Sequence, residues 1–248
     1  MELIMLGTSA AYPTPERASS GYLVRGRESN ILLDMGSGVL RNLLRWMDPF
    51  ALDAIIITHF HQDHFIDIYP LYYYLAFDNV KRLPIDVYAP AGARDFILQI
   101  FPPGTGKSFD NVFSFHTLND RDVFKVGEFR CESLAVRHNL PTFGQRISLG
   151  SRLIAYSSDT TFDEVLFELA AGSDIFICEA TKEEDYKDVM HLTAEQAGVI
   201  ANKAGVGKLI LTHIWPDFDP EKQKIKAEKE YSGQVIIAED NMRLMVGE

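Results

Sequence analysis

The sequence contains little cysteine and no long apolar run. Among its 248 residues only Cys131 and Cys178 are cysteines, and neither has a second cysteine close to it. This excludes a disulfide framework and a zinc site built from cysteine pairs. The sequence also lacks an apolar run near the roughly 18 residues of a membrane helix. Residues 1–6 predict a short strand instead of a basic leader peptide. We therefore expect a cytoplasmic protein without membrane attachment.

Positive charge is also scarce. The chain has 24 Lys and Arg against 35 Asp and Glu, a formal net charge of −11. A protein that grips long nucleic acids by a basic surface has the opposite balance. We therefore expect a small-molecule or short nucleic-acid-type substrate and no stable nucleic-acid partner. With 46% apolar residues and no linker rich in Pro, Gly or Ser, the chain is predicted to form one domain over residues 1–248.

The predicted strands and helices follow the same order in both halves of the chain. Strands are predicted at 2–6, 21–25, 30–34, 53–58, 85–89, 112–118, 122–126, 128–136, 146–149, 152–157, 174–178, 208–212 and 234–238. Helices are predicted at 39–47, 65–77 (kinked or restarted at Pro70), 91–101, 161–171, 193–204 and 220–231. The strands within 112–136 are expected to be antiparallel, and residues 102–108 to form a surface loop. Two such halves predict an α/β fold, a four-layer αββα sandwich.

One stretch stands out for its chemistry. The apolar strand that ends at Thr58 runs directly into His59, His61, Asp63 and His64. Histidines two residues apart do not share a helix face, but in an extended loop they can converge on one ion. Asp63 and His64 can then turn toward a second ion. A polar loop that merely closes a strand is the alternative, and four ligand-type residues within six positions argue against it.

Three more candidate ligands follow strands in the second half: His138, Asp159 and His213. Each taken singly could be an ordinary capping or hydrogen-bonded residue. Together with the first cluster they predict two divalent ions bridged by Asp159 and a water or hydroxide. The first ion is assigned His59, His61 and His138, and the second Asp63, His64 and His213. Imidazole and carboxylate ligands without thiolate fit zinc, manganese and iron.

These residues in this order resemble the metallo-β-lactamase superfamily, and the resemblance runs from the Gly7-Thr8-Ser9 loop to His213. It implies the αββα fold with a dinuclear metal site at one edge, and a metal-dependent hydrolase. Residues 138–147, 178–181 and 191–197 are similar to loops of the ribonuclease Z branch. That branch implies a phosphodiester substrate, zinc, and proton transfer to the leaving oxygen assisted by Glu179 and His191. Members of this fold often dimerise, so a homodimer is an expectation as well.

The predicted catalytic residues are therefore Asp63, His191 and Glu179. An independent argument supports His191, because an imidazole beside a carboxylate is suited to donating a proton near neutral pH. The alternatives are that His191 merely precedes a helix cap at Thr193, and that Glu179 only caps or pairs.

The resemblance to ribonuclease Z has clear departures. Only 21 positions separate His138 from Asp159, which leaves room for a hairpin and not for the arm with which that branch grips tRNA. Gln145 and Leu192 stand where the branch has Tyr and Ser. The expected function is a phosphodiesterase for small or short diesters. The alternatives are a carboxylic ester, thioester or lactone hydrolase of the same fold, a tRNA 3′-processing endoribonuclease, and a metal-stabilised binding protein without turnover.

Overall fold

The computed structural model describes residues 1–77, 84–184 and 190–247. The strands within these residues are β1 (Glu2–Gly7), β2 (Gly21–Arg25), β3 (Asn30–Leu33), β4 (Ala54–Ile56), β5 (Ile85–Ala89), β6 (Phe113–Thr117), β7 (Val123–Val126), β8 (Phe129–Val136), β9 (Thr142–Leu149), β10 (Arg152–Tyr156), β11 (Ile175–Glu179), β12 (Lys208–Thr212), β13 (Gln234–Ile237) and β14 (Arg243–Met245). The helices are α1 (Val39–Leu43), α2 (Gln62–Phe65), α3 (Ile68–Ala76), α4 (Ala93–Leu98), α5 (Gly106–Asp110), α6 (Val165–Ala170), α7 (Ala194–Ala204) and α8 (Pro220–Glu230), and residues 49–51 form a 3-10 turn.

The described strands form two mixed sheets of seven strands each. The first sheet has the order β14-β1-β2-β3-β4-β5-β6, and the second has the order β13-β12-β11-β10-β9-β8-β7. Strand β1 illustrates how they pack, because its side chains alternate between two cores. Leu3 and Met5 lie in the core between the sheets, and Ile4 and Leu6 lie under the helices that cover the first sheet. A third core lies between the second sheet and helices α6 to α8. The predicted αββα sandwich is therefore confirmed.

The strands that carry the polar residues end at one edge of this sandwich. Strands β10, β11 and β12 are parallel neighbours in the second sheet. Strand β8 is antiparallel to β9, which is antiparallel to β10, so β8 runs in their direction. In the first sheet β3 and β4 are also parallel. Because the carboxyl ends of parallel strands meet at the same edge, the loops after these strands are brought together.

Helix α7 shows how locally determined some of these elements are. The Thr193 side chain accepts a hydrogen bond from the Gln196 N–H, and the Gln196 side chain accepts one from the Thr193 N–H. This is a capping box, and it begins the helix at the Thr193 cap that the sequence indicated, two residues after His191. Gly205 ends the helix with φ of 66°, a left-handed conformation that suits glycine.

Two predictions about the elements are wrong. Strand β6 is parallel to β5 in the first sheet, because the helices α4 and α5 between them make a crossover, which returns a strand parallel. Residues 106–110 form the short helix α5 instead of a loop. The predicted restart of the helix near Pro70 is confirmed, because α2 ends at Phe65 and α3 begins at Ile68, with the proline in the first turn of α3, where the missing N–H costs nothing. In addition, the sequence did not reveal β14.

Candidate metal centre

The metal loop begins where β4 ends, at the edge shared by both sheets. His59 and His64 are fully buried, and His61 and Asp63 are partly exposed. Asp63 and His64 lie in the single turn of α2, so the extended segment expected for residues 59–61 changes to helix directly after them. This change of backbone sends the side chains of 59 and 61 to one side of the cluster and those of 63 and 64 to the other.

Several residues around the loop have a left-handed backbone. Asp34, Ser158 and His213 have φ of 56°, 54° and 50°, and Ala11 has φ of 55°. Non-glycine residues rarely adopt this conformation, and it is retained where the surrounding structure holds it, most often at functional sites. Each of the first three follows a strand, so the abrupt turn redirects the chain across the edge of the sheet.

The first group of candidate ligands is formed by His59, His61, His138 and Asp159, whose ligand atoms all lie within 4.8 Å of one another. His59 Nε2 is 3.0 Å from His61 Nδ1, and His138 Nε2 is 3.2 Å from the same His61 atom. Three ring nitrogens therefore face one point. This is the set that the sequence assigned to the first ion, together with the predicted bridge.

The second group is formed by Asp63, His64 and His213, whose ligand atoms lie within the same limit. His213 Nε2 is 3.1 Å from Asp63 Oδ2, and His64 Nε2 is 3.7 Å from it. Asp159 lies between the two groups: its Oδ2 is 3.6 Å from His59 Nε2 and 3.3 Å from His64 Nε2. The structure thus places all seven predicted ligands together, in the predicted division.

The histidines are held by their other ring nitrogen. The Nδ1 atoms of four of them pair with Thr58 Oγ1 (His59, 3.1 Å), Asp34 Oδ2 (His64, 2.7 Å), the Met190 carbonyl (His138, 2.9 Å) and Thr181 Oγ1 (His213, 2.8 Å). Such contacts fix the tautomer and the ring orientation of a metal-binding histidine. Each leaves Nε2 directed at the centre. The sequence analysis gave neither Thr58 nor Thr181 a role at the metal site, although Thr181 ends the 178–181 stretch that resembles ribonuclease Z, since a threonine carries no metal-ligand signal.

Asp34 connects the metal loop to the second sheet. Its buried carboxylate accepts hydrogen bonds from Thr58 N (2.8 Å), Thr58 Oγ1 (2.9 Å), His64 Nδ1 (2.7 Å) and Tyr156 O–H (2.9 Å). Tyr156 belongs to β10 in the opposite sheet. Asp34 is therefore a supporting residue that orients His64.

The charges and unpaired atoms of the cluster fit a divalent cation. His64 Nε2 and Asp159 Oδ1 are buried and have no hydrogen-bond partner of acceptable geometry among the residues that the structure describes. Burial, aided by the nearby imidazole of His64, lowers the pKa of His59 well below its ordinary value, so its ring is neutral, as metal binding requires. Burial opposes the charge on His64, but Asp159, Asp34 and Asp63 raise its pKa well above the ordinary value. A cation in the cluster would replace that proton.

Glu179 and His191 form a pair beside the ligands. His191 Nδ1 donates to Glu179 Oε1 over 2.9 Å, and the fully buried Glu179 also accepts from the Thr160 N–H over 2.7 Å. Although burial lowers the pKa of His191, the Glu179 carboxylate outweighs it and raises the pKa to about 9. His191 also lies with Asp159 and His213 in a group whose ligand atoms are within 4.8 Å of one another. With Nδ1 engaged, Nε2 is the nitrogen that a substrate can reach.

The cluster opens into a cleft of about 520 Å³. This is within the range of about 300–1,000 Å³ typical for small-molecule sites. His61, Asp63, Asp159, His191 and His213 line it together with two aromatic residues, Phe60 and Trp215. The sequence argument did not select the aromatic pair, although both stand within two positions of a predicted ligand.

Comparison with known proteins places the chain in a family. Residues 29–214 match the model of the β-lactamase superfamily domain. An uncharacterised protein of Mycobacterium tuberculosis is 32% identical over 248 residues, which cover 95% of this chain and 88% of that protein. A probable metallo-hydrolase of Bacillus subtilis, YhfI, is 27% identical over 244 residues, covering 96% and 97%. A ribonuclease Z of Myxococcus xanthus is 27% identical over 296 residues, covering 97% and 96%.

Solved structures agree with this assignment. The crystal structure of YhfI, a metallo-β-lactamase fold protein, matches with a TM-score of 0.90, 24% identity and 98% coverage of both chains. The short form of human tRNase Z matches with a TM-score of 0.81, 25% identity and complete coverage of both chains. The chain therefore belongs to the β-lactamase superfamily domain family and is a metallo-hydrolase with the metallo-β-lactamase fold.

Proposed function

We propose that the protein is a dinuclear metal-dependent phosphodiesterase that acts on a small or short phosphodiester. The observation that carries this proposal is the Glu179–His191 pair, which adds a proton donor to the metal-ligand cluster in the same cleft. Cleavage of a carboxylic ester, thioester or lactone depends less on a proton donor, because the leaving group departs more readily from the tetrahedral intermediate. A phosphodiester with an alcohol leaving group needs the proton.

Two divalent ions, with zinc as the first candidate and manganese or iron as alternatives, fit the donor set. His59, His61 and His138 would hold one, Asp63, His64 and His213 the other, and Asp159 would lie between them. When bound, such ions supply positive charge for the phosphoryl oxygens and make water a nucleophile at neutral pH. Asp63 is proposed as both ligand and catalytic residue, and the Ala11 N–H, 2.9 Å from its Oδ2, holds it in place.

The protein's own residues then complete the reaction. Water attacks phosphorus and passes one proton to the solvent, the bond from phosphorus to the leaving oxygen breaks, and His191 Nε2–H gives its proton to that oxygen. The neutral His191 takes a proton from the solvent before the next turnover. Glu179 keeps His191 oriented and protonated through their 2.9 Å hydrogen bond. Its own position is set by the Thr160 N–H and by its place at the end of β11.

Two observations support a short diester over tRNA 3′ ends. The alignments with ribonucleases Z extend over 296 to 303 positions, more than the 248 residues of this chain, so those relatives have segments that this chain lacks. Between His138 and Asp159 the structure has only the hairpin of β9 and β10. The net charge of −11 also disfavours a long polyanion.

The test uses one preparation for metal analysis and for hydrolysis of bis-p-nitrophenyl phosphate, a cyclic nucleotide, a thioester and a lactone. We expect two ions per chain and turnover of the phosphodiesters. His191→Ala should lower kcat for the cyclic nucleotide about 10²- to 10⁴-fold, and much less for p-nitrophenyl esters, whose leaving group needs no proton.

His116→Ala is the matched control, because His116 is an exposed histidine of β6 whose ring bonds to Asp86 of β5. It should leave every rate unchanged. Turnover confined to the thioester or lactone would overturn the proposal. So would equal effects of His191→Ala on both kinds of leaving group.

A further inference from the structure

Two aromatic side chains line the cleft beside the ligands, one from each half of the metal-ligand cluster. Phe60 lies in the chain between His59 and His61, which belong to the first ligand group. Trp215 follows His213 of the second group by two residues. Both line the same cleft of about 520 Å³. A phosphoryl group held at the cluster would therefore carry its substituents past an aromatic surface.

Each aromatic ring is supported from behind. Trp215 makes an edge-on contact with Tyr12, with ring centroids 5.8 Å apart and planes at 88°. Phe60 packs on Phe96 with centroids 5.0 Å apart and on Phe65 with centroids 6.2 Å apart. Such aromatic pairs restrict the orientation of a ring beyond what area burial alone achieves. The two surfaces are therefore held in place before a ligand arrives.

Neither ring is fully enclosed by the core, although Phe60 packs against the edge of the core under the first sheet. Phe60 and Trp215 are only partly buried, whereas core aromatics such as Phe129 are fully buried. A partly exposed aromatic face inside a cleft loses hydration at little cost when a flat apolar ring covers it. Stacking on such a face does not depend on which nucleobase is bound, because every nucleobase has a π-face.

We propose that Trp215, with Phe60 as a second aromatic residue of the same cleft, determines substrate specificity by stacking on a planar ring carried by the diester. The site then prefers diesters with a nucleobase-like substituent over diesters with aliphatic substituents only. The inference rests on the proposed phosphodiesterase function for its kinetic consequence, but ring binding can be measured without turnover.

The binding test uses tryptophan fluorescence. The chain has two tryptophans. The other one, Trp46, follows α1 in the chain, and its Nε1–H donates to Asn241 Oδ1 over 3.0 Å. In the metal-loaded Trp46→Phe variant Trp215 is the only tryptophan, and excitation at the long-wavelength edge of tryptophan absorption avoids the tyrosines. Thymidine 5′-monophosphate should quench its emission in a saturable manner. Ribose 5-phosphate, which offers the same phosphate without a base, should not.

The kinetic test uses two diesters with the same aliphatic leaving group, thymidine 5′-methyl phosphate and ethyl methyl phosphate, so that the thymine base is the only planar ring, and release of methanol measures turnover. Trp215→Ala should reduce kcat/KM for the thymidine ester about tenfold or more, mainly through KM, as expected for the loss of one stacking contact. The ethyl ester should change by less than about threefold. Trp215→Phe keeps a ring and should restore most of the preference, and Phe60→Leu should reduce it in part.

The outcomes separate this inference from the proposed function. Absence of quenching by the nucleotide, or equal quenching by ribose 5-phosphate, overturns the stacking inference. An equal loss of kcat/KM for both esters in Trp215→Ala, without rescue by Trp215→Phe, overturns it as well. Base-dependent quenching in a protein that cleaves neither diester keeps the stacking inference and overturns the phosphodiesterase proposal.

Discussion

At the scale of single residues, the centre depends on groups that bind neither metal nor substrate. Four histidine Nδ1 atoms are held by a hydroxyl, a carbonyl or a carboxylate. Because these contacts fix the direction of each ring, the ligands are arranged before an ion binds. The cost is a buried network that must be complete, since a half-satisfied polar network is less stable than an apolar core.

Asp34→Asn tests this network. Asparagine tolerates the left-handed backbone of position 34, where φ is 56°. Its amide nitrogen presents N–H groups to the surrounding donors, so the side chain cannot accept all four hydrogen bonds. We expect metal affinity to fall about 10- to 100-fold, measured by competition with a chelator. Asp86→Asn, in the exposed pair with His116, is the control and should bind metal as the wild type does. Unchanged metal affinity in Asp34→Asn would show that His64 is oriented by packing alone.

At the scale of elements, the metal loop is positioned by a close approach between two backbones. A Cβ added at Gly36 would lie 1.9 Å from the Asp63 carbonyl oxygen and 2.7 Å from Ser19 Cβ. The segment after β3 therefore passes directly against the turn that carries Asp63 and His64. Only glycine permits this approach, which brings the metal loop to its place at the edge of the sheet.

Gly36→Ala should displace the metal loop. We expect a destabilisation of about 1–3 kcal/mol or more from overpacking, together with weaker metal binding, since the contact is with backbone that cannot move alone. Gly106→Ala is the matched control, because its nearest neighbour would be a flexible arginine end at 3.5 Å and it lies in a helix, where alanine is favoured. Urea unfolding and metal content measure both variants. Wild-type values for Gly36→Ala would contradict the close approach.

At the scale of the whole molecule, the seven ligands connect the two sheets. His59, His61, Asp63 and His64 follow β4 of the first sheet, and His138, Asp159 and His213 follow strands of the second. Each of the two ligand groups contains residues from both sheets, so an ion held by either group would join the halves of the sandwich. Within the described residues, none of the helices is long and apolar enough to cross a membrane. The single-domain organisation, the homodimer and the cytoplasmic location stay predictions.

Removal of the metal should lower the stability of the whole protein. A ligand present at 100 times its Kd stabilises the native state by about 2.7 kcal/mol, and each kcal/mol shifts Tm by about 2–4 °C in a domain of this size. We expect chelation to lower Tm by about 5–10 °C, reversed when zinc is returned, as measured by calorimetry. His213→Ala should respond less to the chelator, because one ligand group is broken. An equal Tm with and without chelator would mean that the ions do not join the sheets.

The net charge of the molecule predicts weak binding to tRNA. With a net charge of −11 it should not retain a tRNA transcript at micromolar concentration and physiological salt, where binding through phosphates depends on released counterions. Filter binding, with a matured and a 3′-extended transcript, measures this. Salt-sensitive retention or 3′ cleavage of the extended transcript would instead support the endoribonuclease alternative.

The sequence by itself determined the features that depend on neighbours in the chain. The repeated order of strands and helices in the two halves predicted the αββα sandwich, the Thr193 cap predicted the start of α7, and His59 to His64 identified the metal loop, because these signals are local in physical origin. Tertiary structure alone decided which strands pair: β6 joins the first sheet in parallel and β14 pairs with β1. It also decided that Asp34 meets Tyr156 across the sheets and that Phe60 and Trp215 share one cleft. Such contacts join residues far apart in the chain, and their free energy appears only when both sheets have packed.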